Sequence, residues 1–333
     1  MKLKVLKSRR YLIGWIISLL FLFLFFFSFG GDFSEIGRAL AEANYIFVLP
    51  AVILLVIIMG LKAVRWQYLL RHLKRTPLGS VFSVTVIGHM VDNLLPRPIG
   101  DMSRAYLLGG KEQISKMSTF ATVAVARIFD GLSLLFFMVI VWQFVPLPPW
   151  LVNGVYIVAG LFLGALVLFL VLASSPGRLQ KAVALFLRLL PKRWGSKLEE
   201  WLELFISGLA VLKSPSKLCF IFLLSLLIWF VEAVMFYTVG ASFNLGQPFY
   251  VFILASAITN FALFLPSMVG GLGNWEYACR EALSIFGVNI ALASAYAIVL
   301  HAIVLIPIIL LGFIFLWTQH ISLAKVVSKW DIK

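Results

Sequence analysis

Acid is scarce in this sequence: 14 aspartates and glutamates stand against 28 lysines and arginines, a formal net charge of +14 over 333 residues. Polar sequence of any kind is confined to short stretches. No stretch reads as a separate soluble domain, so a single integral membrane domain over residues 1–333 is expected. Cysteine is nearly missing. The two present, Cys219 and Cys279, form no CxxC pair and suggest neither a disulfide framework nor a cysteine metal site. Histidine occurs four times, and no His/Cys cluster or paired Asp-x-Asp has metal-ligand spacing; no metal and no cofactor are expected. A GxxxxGK[ST] loop is also lacking, which argues against direct use of ATP.

What is there is apolar. Hydrophobic residues make up 62% of the chain and the mean hydropathy is +1.02, far above the roughly half-apolar usage of soluble domains. In a soluble protein the positive charge would suggest nucleic acid. Here the basic residues cluster between apolar runs, where they set topology and meet anionic headgroups, and no nucleic-acid partner is expected.

Six runs are long enough to cross a bilayer: residues 11–29, 45–61, 117–145, 151–173, 218–240 and 291–317. The first follows Lys2, Lys4, Lys7, Arg9 and Arg10, and it is too long for a signal-peptide core of about 7–15 residues. The second runs into Lys62, Arg65, Arg71, Lys74 and Arg75, a cytoplasmic signature. Both termini are expected in the cytoplasm of a cell-membrane protein, the tail carrying Lys325, Lys329 and Lys333. Residues 174–217 form the longest polar stretch. Ala182, Leu185, Leu189 and Leu190, then Leu198, Trp201, Leu202, Phe205 and Leu209, recur at helical spacing, so a basic amphipathic segment on the inner surface is expected.

Two apolar stretches are broken. Val81–Leu95 is short for a span, is interrupted by Gly88, His89, Asp92 and Asn93, and ends in Pro96-Arg97-Pro98-Ile99-Gly100-Asp101-Met102-Ser103-Arg104. Phe249–Leu265 stops at Pro266, followed by Gly270, Gly271, Gly273, Glu276 and Arg280 in a polar helix, Trp275–Ile285. Each ends an apolar half-helix with Leu-Pro, continues through glycine to an acid, and reaches an arginine three or four residues later. Irregular backbone at membrane depth is tolerated only inside protein or beside a cavity. With six full spans and both termini inside, each broken segment must return to the side it left. They are expected as two re-entrant segments entering from opposite faces, an inverted repeat whose half-helix ends meet near the midplane and can hold an anion.

Ionisable residues at that depth are costly, and their default reading is functional. Asn93, Arg97, Asp101, Arg104, Arg127, Asp130, Gly271, Gly273, Glu276 and Arg280 are therefore the candidate substrate-binding residues; none is assigned a catalytic role. The plainer reading is that Asp101–Arg104, Arg127–Asp130 and Glu276–Arg280 are structural ion pairs at helical spacing. His89, Glu232 and His301 stand evenly between the two readings, His301 leaning to packing, and Asn260 suits a hydrogen bond between helices.

The ordered set Asn93-x-x-Pro96-Arg97-x-x-Gly100-Asp101-x-x-Arg104, Arg127-x-x-Asp130, and Pro266 with Gly270-Gly271-x-Gly273-x-x-Glu276 resembles the transmembrane region of lysylphosphatidylglycerol synthases and related stand-alone flippase-like membrane proteins. Two positions depart from that pattern: Asp101 stands where glutamate is usual, and Ala126 where a glutamate often precedes the arginine. The resemblance implies a lipid-handling membrane protein. Members fused to a soluble aminoacyl transferase domain move the aminoacylated lipid between leaflets; this sequence ends at Lys333 without such a domain, so it is not expected to make that lipid.

The expected architecture is an all-α polytopic membrane protein with about six full transmembrane helices and two re-entrant segments. The favoured function is a lipid translocase rather than an enzyme, its partner a lipid with an anionic or phosphate-bearing headgroup. A membrane transferase or accessory subunit acting on a lipid-linked sugar or phosphate is the alternative. A homodimer and lipid-synthesis enzymes are the protein partners this reading allows.

Overall fold

The computed structural model describes residues 16, 19–25, 33–95, 99–174, 192–264 and 269–322, and every regular element among them is helical. In chain order the α-helices are α1 (Phe33–Glu42), α2 (Val48–Leu70), α3 (Leu78–Leu94), α4 (Ile99–Glu112), α5 (Lys116–Trp142), α6 (Pro149–Ser174), α7 (Lys192–Gly208), α8 (Pro215–Ser242), α9 (Phe249–Ala262), α10 (Asn274–Ser284) and α11 (Ile290–Thr318). Five helical stretches are long and apolar enough to cross a membrane: Tyr45–Leu70, Lys116–Trp142, Pro149–Ser174, Pro215–Ser242 and Ile290–Thr318. They correspond to five of the six expected spans. The other, 11–29, lies mostly outside the described residues, as do Pro96, Arg97, Pro266 and the lysines of the tail.

One boundary differs from expectation. The second span does not stop at Leu61 but continues to Leu70. Ala63, Trp66, Leu69 and Leu70 are buried on its continuation, so the apolar face carries on at helical spacing while Lys62 and Arg65 interrupt only the linear run. Of the basic stretch 174–217, residues 175–191 lie outside the described residues. Helix α7 is present, but it is docked rather than free: Ser118 of α5 donates to the Leu204 carbonyl at 2.8 Å, and Ile206 is buried. Helix α6 turns Tyr156, Ile157, Leu161, Leu163, Val167 and Leu168 outward, as a lipid-facing helix does.

Each broken segment folds back on itself. In the first, Ser80 donates to Glu112 at 2.7 Å near the open end, and the Gly100 amide donates to Asp92 at 2.9 Å near the tip. Residue pairs of constant sum mark two antiparallel arms, α3 and α4. In the second, the rings of Tyr250 and Phe286 meet at 6.0 Å and Asn274 donates to the Ala262 carbonyl at 2.8 Å, so α9 and the stretch from α10 to Phe286 pair the same way.

Helix α11, about 43 Å long at 1.5 Å per residue, measures their placement. Lys111 reaches Gln319 at 3.0 Å, Phe82 meets Phe315 at 5.8 Å, and Met90 covers Gly312. Nearer the other end, Trp275 stacks on His301 at 4.4 Å. The hairpins therefore lie along opposite halves of α11, enter from opposite ends, and meet tip to tip: a Cβ on Gly270 would lie 3.4 Å from the Asn93 carbonyl. The packing repeats with the halves exchanged. Helix α3 packs on α11 and α9 on α5, while α2 and α8 pack on each other. Those two run antiparallel, as Asn44 to Ser242 (2.8 Å) at one end and Tyr68 against Phe220 (4.5 Å) at the other establish. This is the inverted arrangement expected from the two Leu-Pro breaks.

The first hairpin depends on close approach at Gly100. A Cβ there would run into the Asp92 carboxylate and the Gly88 carbonyl. Gly100→Ala should destabilise the purified protein by about 2 kcal/mol or more through overpacking. Gly110→Ala in the same helix, where a Cβ meets open space, should be neutral or slightly stabilising. Thermal unfolding in detergent compares the two; equal midpoints would refute the tight pairing of the arms.

Candidate functional site

Hairpin tips place short polar residues beside the middle of α5. The arms of the first hairpin bring Asp92, Asp101 and Arg104 against that helix, which contributes Arg127 and Asp130 about halfway along its length. Arg127 grips Asp101 through two bonds, Nε to Oδ2 and Nη2 to Oδ1, both 2.8 Å, and donates to Asp92 at 3.2 Å. The planar guanidinium suits such paired contact. Arg104 also donates to Asp101. Its stem lies across Gly88, where a Cβ would strike it, and its guanidinium stands 5.9 Å from the Trp66 ring. Asp92 accepts the Gly100 amide at the start of α4, so one carboxylate serves both the helix end and Arg127.

A second group of pairs adjoins the first. Arg65 of α2 donates to Asp130 at 2.6 Å and to Ser225 of α8 at 2.8 Å. Trp229 of α8 donates to the same Asp130 oxygen at 3.1 Å. Lys62 lies 4.0 Å from Glu232 and 5.1 Å from the Trp229 ring, and Asn260 donates to Glu232 at 2.6 Å. Among the described residues the network thus holds four cations (Lys62, Arg65, Arg104, Arg127) and four carboxylates (Asp92, Asp101, Asp130, Glu232). Formal neutrality is what makes so many charges bearable at this depth. Lys62, Arg65, Trp66, His89, Arg104, Ala126, Arg127 and Asp130 line a small cavity within it. Three buried donors, Arg65 Nε, Arg104 Nε and Asn93 Nδ2, have no hydrogen-bond partner among the described residues.

The tip of the second hairpin is built on glycine. Gly270, Gly271 and Gly273 all have positive φ (65°, 80° and 92°), a region that side-chain-bearing residues avoid. Helix α10 then starts at Asn274, and Glu276 in its first turn accepts the Gly273 amide at 2.8 Å. The other Glu276 oxygen lies 2.7 Å from His301 Nδ1, and His301 Nε2 lies 3.1 Å from the Gly270 carbonyl. A carbonyl only accepts, so Nε2 carries hydrogen. The short Nδ1–carboxyl contact then holds one further proton, shared by Glu276 and His301.

Of the ten candidate residues, the structure gathers Asp101, Arg104, Arg127 and Asp130 into the network, with Asn93 at the tip beside it. Gly271, Gly273 and Glu276 form the facing tip. Arg97 lies outside the described residues. Arg280 is not in the site: it is fully buried and donates to Glu281 at 2.5 Å and to the Phe25 carbonyl at 2.8 Å. Of the simple helical pairs, Asp101–Arg104 forms as expected, and the other two are revised. Arg127 and Asp130 share a face but take different partners, and Glu276 turns to His301 instead of Arg280. His301, which leaned to packing, belongs to the tip. Lys62 and Arg65, read only as topology markers, are network members. Their signal was Trp66, Leu69 and Leu70 following at helical spacing, which makes them interior to a helix.

The chain belongs to the lysylphosphatidylglycerol synthase TM region family, whose model matches residues 11–312, and with its long apolar helices it is a multi-pass membrane protein. It is similar to a UPF0104 membrane protein of Methanothermobacter thermautotrophicus, 28% identical over 80% of this chain and 83% of that one. A UPF0104 membrane protein of Methanocaldococcus jannaschii is 29% identical over 55% of this chain and 54% of its own. The glycosyltransferase AglD of Haloferax volcanii is 31% identical over 31% of this chain and 17% of its own length. No solved structure matches.

Proposed function

We propose that this chain is a lipid translocase that moves a phosphate-bearing or isoprenoid-linked lipid between leaflets. The observation that carries the reading is the meeting of two re-entrant tips beside a buried network of arginines and carboxylates. The two tips come from opposite ends of α11, an arrangement that suits alternating access to a central site. The headgroup phosphate would take the place of Asp101 on Arg127 and Arg104, drawing on the same paired donors and on the open Nε of Arg104. The acyl or isoprenoid chains would stay in the lipid beside the hairpins. The family's name ties it to a lipid and one relative is named a glycosyltransferase; both suit an anionic or sugar-linked headgroup. We place the open end of the first hairpin, with Arg71, Lys74, Arg75, Lys111 and Lys116, on the cytoplasmic side of the cell membrane.

The test is movement of fluorescent phosphatidylglycerol and a fluorescent polyprenyl phosphate in proteoliposomes. Translocation should fall about tenfold or more in Arg104→Ala and in Arg127→Ala, the scale of one lost charge-assisted contact. Movement no faster than in protein-free vesicles, or unchanged in both variants, would sink the assignment. Transfer of a sugar or phosphate between lipids without translocation would install the transferase reading instead.

A further inference from the structure

A second basic site lies away from the central network, at the corner between α2 and α3. A pocket there is lined by Gln67, Arg71, Arg75 and Thr76. Gln67, on the last turn of α2, donates to the Thr76 carbonyl at 2.7 Å and so fixes the link that carries both Arg75 and Thr76. Arg71 lies one turn beyond Gln67, its guanidinium 5.1 Å from the Tyr68 ring. Thr76 is 5% exposed, yet its hydroxyl has no hydrogen-bond partner among the described residues. A buried hydroxyl without a partner is costly unless something supplies one. Helix α3 begins two residues later with no side-chain cap, so its positive end adds to the corner.

The charge balance differs from that of the central site. There every cation has a carboxylate neighbour; here neither Arg71 nor Arg75 has one among the described residues. Glu112 is engaged by Ser80 at 2.7 Å and stands 3.9 Å from Lys74. Two exposed, unneutralised guanidinium groups, the second N–H of the Gln67 amide and the buried, unpartnered Thr76 hydroxyl together offer donors to the oxygens of one phosphate group.

We propose that the α2–α3 corner is a phosphate-binding site separate from the central network, taking the phosphate of an anionic lipid headgroup or free phosphate of the same chemistry. The site does not depend on the translocase reading, and loss of either leaves the other standing. The full chain, purified in detergent, is tested against two probes: phosphatidylglycerol, followed by native mass spectrometry, and inorganic phosphate, followed by calorimetry. Arg71→Gln combined with Arg75→Gln, and separately Thr76→Val, should each weaken binding of one probe about tenfold while the circular dichroism spectrum is unchanged. Loss confined to phosphatidylglycerol identifies a lipid headgroup as the occupant; loss of inorganic phosphate binding identifies a soluble one. Equal binding of both probes by wild type and both variants overturns the proposal.

Discussion

Asp130→Ala should destabilise the protein by about 3–5 kcal/mol, the scale of breaking a buried ion pair from one side. The Arg65 and Asp130 side chains are 4% and 10% exposed. Removing the carboxylate strands the Arg65 guanidinium with Ser225 as its remaining partner and leaves the Trp229 N–H unsatisfied. Arg65 Nε already has no partner among the described residues, so the loss has little to fall back on. The double variant Arg65→Met, Asp130→Leu should recover most of the stability, because it removes both charges and fills the space. Lys74→Ala, which breaks a half-exposed contact with Glu112, should stay within about 0.5 kcal/mol. Unfolding of the purified variants in detergent measures all three. A loss in Asp130→Ala as small as that in Lys74→Ala would mean that the buried pair does not hold α2 to α5.

The breaks were legible because they violate the rule for lipid-exposed backbone. Leu95-Pro96 and Leu265-Pro266 each end an apolar run too early to cross, and parity forces such segments to return. That reasoning reaches as far as two hairpins entering from opposite ends, which the placement of Phe82 and Trp275 along α11 bears out. Partner choice was not legible. Helical spacing establishes that Arg127 and Asp130 share a face, but not that Arg127 meets the first hairpin while Asp130 meets α2 and α8. Which neighbour each reaches is set by the crossing of helices far apart in sequence. Arg280 illustrates the same limit from the other side. Its spacing from Glu276 allows an intrahelical pair, yet Glu276 is already satisfied by the Gly273 amide and His301, and Arg280 takes Glu281 instead. Lys62 and Arg65 were misread because a span was expected to end where its linear run of apolar residues ended.

His301→Phe should cost about 3 kcal/mol and loosen the tip of the second hairpin. Phenylalanine preserves the stacking on Trp275 but removes both ring nitrogens. Glu276 then loses its imidazole partner, and the Gly270 carbonyl loses its donor. A charge-assisted bond contributes about 1.5–3 kcal/mol, and a buried group left unpaired costs about 1–3 kcal/mol. Glu276→Gln should behave differently. The glutamine oxygen can still accept the Gly273 amide while its NH₂ donates to His301 Nδ1 and Nε2–H remains on Gly270, so every bond survives and stability should change by less than about 1 kcal/mol. What the glutamine lacks is a proton to release. The two variants therefore separate holding the tip from handling the proton that Glu276 and His301 share. Hydrogen exchange at the Gly271 and Gly273 amides should quicken in His301→Phe and stay near wild type in Glu276→Gln. If translocation also loses its dependence on external pH in Glu276→Gln while the tip stays protected, the shared proton is part of the transport cycle. If translocation in that variant follows pH as in wild type, the pair only fastens the second tip to α11 opposite Asn93, and the work of headgroup exchange falls to the first hairpin and α5.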